Sequence, residues 1–118
     1  MIRPIGDVTS DALRVALRGL DTRQKAIANN VANVETPNFS AQTVAFEDSL
    51  RGALMTGEPV TAVQPVVAQS QSPTRMNGNN VSLDIEILAQ SETELRTKLV
   101  VQAINAKYAL LRTAITGQ

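Results

Sequence analysis

Leu99-Val100-Val101-Gln102-Ala103-Ile104-Asn105-Ala106-Lys107-Tyr108-Ala109-Leu110-Leu111 is the stretch that decides the architecture of this chain. Among these thirteen residues only Gln102, Asn105 and Lys107 are plainly polar. On a helix, Lys98, Gln102, Asn105, Arg112 and Thr116 trace one narrow polar stripe with Ala109 in its gap, and nearly everything else around it is apolar. A helix covered by one partner needs an apolar stripe a little over 100° wide, and the arc over these last four turns is about twice that. Each fully buried Leu, Ile or Val contributes about 1.5–3 kcal/mol, so leaving half a dozen in water would forgo much of the folding stability. One partner helix cannot cover this surface, and the rest of the chain offers only one other long helix.

Working outward, the C-terminal helix is expected over 81–116. Its earlier turns carry a narrower seam of Val81, Ile85, Leu88, Leu95 and Leu99, interrupted by Glu92, and Ser82 stands where a helix cap is favoured. The other long helix is expected over 7–34, with Thr9 or Ser10 as its cap. Along it Leu13, Leu17, Leu20, Ile27, Val31 and Val34 recur at alternating spacings of four and three, with Gln24 in the missing position. Pro37 is expected to end this helix, because proline disfavours helical geometry at Thr36 and has no amide donor.

Between the helices the pattern weakens. Over 35–55, Thr43-Val44-Ala45-Phe46 suits a brief extended stretch, and Phe46, Leu50 and Leu54 share one face of a short helix beginning near Glu47. From 56 to 80 the chain is broken by Pro59, Pro65 and Pro73, filled with Gln and Ser, and closed by the turn chemistry of Met76-Asn77-Gly78-Asn79-Asn80. That composition predicts a flexible or extended connector outside the core. The expected fold is therefore all-α, one domain over 1–118, with an irregular, partly extended middle and a short helix. Cover for the wide apolar arc then comes from other chains, in a helical hairpin that dimerises or in a subunit packed on several sides within an assembly. Periodicity alone does not separate these two.

Composition removes most other chemistries. The chain has 118 residues, with 11 Lys and Arg against 11 Asp and Glu, so it lacks the basic surplus that a generic polyanion binder gains from. It has no Cys and no His, which excludes disulfides, thiolate nucleophiles, imidazole bases and the usual zinc ligands. Phe39, Phe46 and Tyr108 are its only aromatics, too few for a base-stacking platform. No apolar run approaches the roughly 18 residues of a membrane span, and Arg14 and Arg18 interrupt any secretory signal. Asp84 and Glu86, or Glu92 and Glu94, are two apart on a helix and point in different directions. Gly52, Gly57 and Gly78 are isolated and form no phosphate loop. The glycosylation-type triplets Asn38-Phe39-Ser40 and Asn80-Val81-Ser82 occur too often by chance to signify. A DNA-reading helix-turn-helix over Gln24–Val31 and Thr36–Ser40 would have no Lys or Arg between Glu35 and Arg51, and would carry Glu35, Glu47 and Asp48 toward a polyanion. No catalytic residue, cofactor, metal or nucleic acid is expected.

The end of the first helix is rich in asparagine, a mediocre helix former whose amide competes for backbone hydrogen bonds. Asn-Asn-Val occurs at 29–31 and again at 79–81, too short a repeat to stand out from chance. The stretch Ala28-Asn29-Asn30-Val31-Ala32-Asn33-Val34-Glu35-Thr36-Pro37-Asn38-Phe39 resembles the N-terminal signature of bacterial flagellar rod, hook and hook-associated proteins. In that family a helix ends in Asn-Asn-(apolar)-Ala-Asn, followed by Thr-Pro-Gly and Tyr or Phe. The matching residues are Asn29, Asn30, Ala32, Asn33, Thr36, Pro37 and Phe39. The short length, Val44–Leu50, Asn80–Glu86 and Lys107–Ile115 are similar to the proximal-rod members of the basal body. Asn38 stands in place of the usual glycine, and asparagine is the next most tolerant residue for left-handed geometry. Phe39 lacks the hydroxyl of the more usual tyrosine.

The resemblance implies a structural, non-enzymatic subunit of the rod that links motor to hook. It implies long N- and C-terminal helices paired as an antiparallel coiled-coil-like hairpin, with such units packed helically around a central channel. On that basis Leu13, Leu17, Leu20, Ile27 and Val31 are expected to pack on Leu95, Leu99, Ile104, Tyr108 and Leu111, with Ile115 beyond, within and between subunits. The implied partners are further copies, other rod subunits, the adapter joining the rod to the membrane-embedded ring, and the flagellar type III apparatus. That apparatus exports members without a cleaved signal, and the subunit itself does not insert in the membrane. A small helical adaptor or coiled-coil dimerisation module is the alternative from the residues alone.

Overall fold

The computed structural model describes residues 5–117; residues 1–4 and 118, part of the expected single domain over 1–118, lie outside them. In chain order the elements are helix α1 (Ile5–Ala32), strand β1 (Gln42–Ala45), helix α2 (Glu47–Thr56), a 3-10 turn (Val60–Ala62), strand β2 (Val66–Gln69) and helix α3 (Leu83–Thr116). The molecule is elongated, 63 × 30 × 15 Å. Helix is the dominant structure, but the fold is not purely α. β1 and β2 pair antiparallel, Gln42 opposite Gln69 and Ala45 opposite Val66, where β-branched residues fall in short runs on both segments.

α1 starts at Ile5, so Thr9 and Ser10, expected as its cap, lie inside the helix. It stops at Ala32, well before Pro37. The stop is made by asparagine: the Asn33 amide donates to the carbonyls of both Asn29 and Asn30, at 3.1 Å each. The Asn33 side chain donates back to the Asn29 carbonyl at 2.8 Å. A short polar side chain that satisfies helical carbonyls ends the ladder without help from proline. Turns and then β1 follow, so no second helix stands where a helix-turn-helix requires one.

α2 begins at Glu47 with two acidic residues in its first turn, and ends on Gly57, whose φ of 78° lets its amide return to the Ala53 carbonyl. Phe46, just before it, is buried against α1. A Cβ on Gly19 would sit 2.4 Å from the Phe46 ring, so this mid-helix glycine is what allows the ring to lie on the α1 backbone.

The segment 56–80 contributes to the core, contrary to its composition. Val60 and Val63 join Val15 and Ala53 in one buried cluster, with Leu50 against it. The prolines shape this segment, while the valines between them supply its contacts. A second cluster gathers Leu20, Ala26, Val44 and Phe46, with Ala16 and Val100 packed on it.

α3 lies along α1 with contacts in reversed order: Asn30 meets Glu86, whereas Ala16 and Leu20 lie with Val100. Its buried and half-buried positions are Glu86, Ala89, Thr93, Thr97, Val100, Ile104 and Lys107. This face is mostly small or polar. Its threonines are buried at low cost because Thr93 donates to the Ala89 carbonyl and Thr97 to the Thr93 carbonyl, both at 2.7 Å. Of the expected seam only Ile104 belongs to this face. Leu95, Leu99, Tyr108, Leu111 and Ile115 stay exposed in the single chain, with Leu99 and Leu20 both bordering a cleft shared with α2. Ser82 is at the cap position of α3, but its hydroxyl makes no capping bond.

Candidate functional site

Two surfaces stand out, a polar junction that closes one end of the molecule and the outward side of α3. The junction begins with Asn30, buried near the end of α1. Its side-chain carbonyl accepts the Gln42 amide at 2.8 Å, and its NH2 donates to the Gln42 carbonyl at 2.9 Å and to Glu86 Oε1 at 3.0 Å. One side chain thus ties α1, β1 and α3 together. Asn79, fully buried at 0% exposure, donates to the carbonyls of Asn33 and Thr36, both at 2.8 Å, and accepts the Val81 amide at 2.7 Å. Asn80 accepts the Ala41 amide at 2.6 Å and donates to the carbonyls of Ser70 and Ser72. Arg75 donates to the carbonyls of Val34 and Val81 across the same gap.

The turn expected at Thr36-Pro37-Asn38 is present. Asn38 takes φ 62°, left-handed, and its amide donates to the Asn77 carbonyl at 2.9 Å. Gly78 faces it so closely that a Cβ would lie 2.2 Å from Asn38 Oδ1. The motif residues therefore divide by task. Asn30 and Asn33 make the tertiary bond and the helix stop, the Thr36 carbonyl receives Asn79, and Phe39 is half-buried. Asn29, Ala32 and Pro37 are exposed.

A charge cluster braces the middle of the molecule. Arg23 grips Glu47 with both guanidinium nitrogens at 2.6 Å, donates to the Val44 carbonyl at 2.7 Å, and lies over the Phe46 ring at 5.0 Å. Arg96 of α3 reaches the same carboxylate at 2.6 Å. The Arg23 hydrogen bonds hold Glu47 down to about 2, with burial opposing. Glu86 moves the other way: burial raises it above its ordinary 4.5, and the Asn30 hydrogen bond opposes the shift.

Asn79, Asn80, Arg75 and the Arg23–Glu47–Arg96 cluster are not identifiable from sequence periodicity. Both copies of Asn-Asn-Val lie in the junction, but a triplet is too short to stand out from chance as a sequence signal. The outward side of α3 is the opposite of the junction. Leu88, Leu95 and Leu99 stand 60%, 59% and 56% exposed, and Leu110 and Ile115 stand 72% and 83% exposed. Among the described residues no group of three or more His, Cys, Asp or Glu could hold a metal, and no helix is long and apolar enough to cross a membrane.

The family described as flagella basal body rod protein matches residues 13–39, which span most of α1 and the asparagine side of the junction. The flagellar basal body rod protein FlgB of Bacillus subtilis is 31% identical, over 92% of this chain and 94% of its own length. FlgB of Escherichia coli K12 is 24% identical over 86% of this chain and 90% of its own. FlgB of Borreliella burgdorferi is 26% identical over 75% and 81%. A likeness that runs through both long helices and the segment between them, in proteins of nearly the same length, shows that this chain belongs to the family of flagellar basal body rod proteins, structural and not enzymatic.

Proposed function

We propose that this rod subunit assembles through the outward side of α3, which takes its cover from further copies and other rod proteins. Its two long helices act as an antiparallel coiled-coil-like hairpin, units of this kind surround the export channel, and their packing carries motor torque. Further partners are the adapter between rod and membrane-embedded ring and the type III export apparatus, which moves the chain out of the cytoplasm without a cleaved signal. The observation that carries the assembly role is the inverted burial of α3, whose small and polar residues face α1 while its leucines face out. Exposed apolar patches of this extent mark interaction sites in soluble proteins. The reversed order of contacts between α1 and α3 supports the hairpin.

Leu99→Asp and Leu111→Asp test the assignment, since both positions are exposed in the single chain. Each is expected to abolish incorporation into basal bodies and swimming, with the circular dichroism of the purified chain unchanged. Normal swimming in both strains would refute it. Ile27→Asp is a poorer test, because Ile27 is buried and its loss would damage the fold itself.

A further inference from the structure

A groove of about 800 Å³ runs between α1 and α3, bordered by those two helices alone. Leu17 and Leu20 form its apolar floor, and Arg14, Arg18 and Lys98 stand on its rim. Asp21 on the same rim is already paired with Lys25 at 3.1 Å, and Glu94 accepts from Gln90. Arg14, Arg18 and Lys98 make no ion pair among the described residues, so the rim sets three unpaired cations against the single unpaired carboxylate of Glu94. α3 carries a complementary feature on another face. Leu88 and Leu95 are one heptad apart, with Glu92 between them and, like the rim cations, without an ion pair among the described residues. Glu92 and Leu99 border clefts shared with α2, whereas Glu94, Thr97 and Lys98 border the groove, so ridge and groove occupy different faces of the molecule.

We infer that the groove of one subunit receives the Leu88–Glu92–Leu95 ridge of a second copy, with Glu92 set against Arg14 and Arg18. This inference rests on the chain's being a rod subunit that contacts copies of itself. The dimensions agree. Two leucines seven residues apart span about 10.5 Å along a helix, and the groove, from Arg14 to Gln24, runs about 15 Å along α1. A lone charge within an apolar seam fixes register, because any slip leaves it facing hydrocarbon instead of its counterion. Because ridge and groove are different surfaces, the contact is head-to-tail, and it propagates wherever the rotation between successive copies does not close a ring. That is the interface type an open helical rod requires.

The chain has no cysteine, so single cysteines report contacts without background. Full-length R18C and E92C chains, mixed and mildly oxidised, should give the mixed disulfide in at least about fivefold excess over either same-variant dimer, because only the mixed pair spans a head-to-tail contact. A product no richer in mixed dimer than random collision gives would overturn the inference. The charge pair is tested separately. R18E and E92R alone should each lower self-association at least about tenfold, and the R18E/E92R chain should recover it, since each copy then supplies both reversed partners. A double variant as weak as the singles would refute the pairing. Incorporation into isolated basal bodies distinguishes the two levels of failure. A chain that enters basal bodies but yields no mixed disulfide overturns the groove and leaves the rod role standing. A mixed disulfide from a chain that never enters them supports the contact and overturns the role.

Discussion

Around the start of α3, Asn79, Asn80 and Glu86 are buried with hydrogen bonds made inside the chain, whereas toward its end Leu110, Leu111 and Ile115 stand in solvent. The same molecule thus buries polar groups at one end and exposes apolar ones along the other. Each arrangement is costly for a free monomer unless something compensates. At the junction the compensation is internal: Asn30, Asn79 and Asn80 each satisfy three partners, and the backbone they serve cannot pair within a helix or sheet. Along α3 the described residues supply no such cover for Leu110, Leu111 and Ile115. The difference separates what holds the subunit together from what it offers to neighbours. The first is polar, directional and complete; the second is apolar and open.

The comparison breaks most visibly at Asn79. Asn79→Ala removes two donors and one acceptor at a site without solvent, leaves the Val81 amide unpaired, and takes from the carbonyls of Asn33 and Thr36 one of the two bonds that each accepts. The expected loss is about 3 kcal/mol, read as a lower urea midpoint with an unchanged slope. Leu110→Ala, a change of similar size on the other surface, should move the monomer by no more than about 0.5 kcal/mol. Equal losses at the two positions would erase the distinction between an internal junction and an external seam.

Much of this was legible in sequence, for identifiable reasons. Both long helices were, because their periodic apolar residues run for many turns, and so was the excess of apolar surface on α3. Glu47 as the start of α2 and the left-handed turn at Asn38 were also readable from local chemistry. The face α3 turns to α1 was not. Periodicity ranks residues by hydrophobicity, and here much of the helix–helix contact is made by alanine and by threonines that satisfy their own hydroxyls. The core role of Val60 and Val63 was hidden by the prolines around them. Asn79 was hidden because its function is set by carbonyls 43 and 46 residues away, a distance at which no local pattern can speak. The family motif pointed to Asn30 and Asn33, but could not show that Asn30 reaches across to Glu86.

The charge cluster at Glu47 sharpens the comparison at a smaller scale, since it is neither as buried as the junction nor as open as the α3 ridge. Glu47→Gln keeps the shape and loses the charge that Arg23 and Arg96 share. With the carboxylate about a third exposed, solvent screening limits the expected cost to about 1 kcal/mol at pH 7. Its pH dependence is diagnostic. Held at about 2 against an ordinary 4.5, Glu47 binds its proton less readily in the folded chain than in the unfolded one. Its contribution is complete above about pH 4.5 and is lost as the pH falls toward 2. The wild-type advantage over Glu47→Gln in thermal midpoint should therefore vanish across that window. An advantage that persists unchanged at pH 2 would mean that packing, and not the ion pairs, sets the cost.

Glu86 gives the smallest effect, of opposite sign. Burial raises its proton affinity in the folded chain, and among the described residues the only side-chain hydrogen bond to it comes from the uncharged Asn30. Above its raised folded value the carboxylate is ionised at a net cost, softened by its position in the first turn of α3, where the helix dipole favours negative charge. Below 4.5 folded and unfolded chains are both protonated, and the cost disappears. Glu86→Gln retains an oxygen to accept from Asn30 and carries no charge at any pH. It should raise the thermal midpoint slightly at pH 7, and the gain should shrink to nothing as the pH is lowered to 4.5. A loss at pH 7 would mean that the ionised carboxylate serves the junction in a way a neutral amide cannot. Glu86 would then be an electrostatic partner of the α3 helix start, and its link to Asn30 would no longer be explained by hydrogen bonding alone.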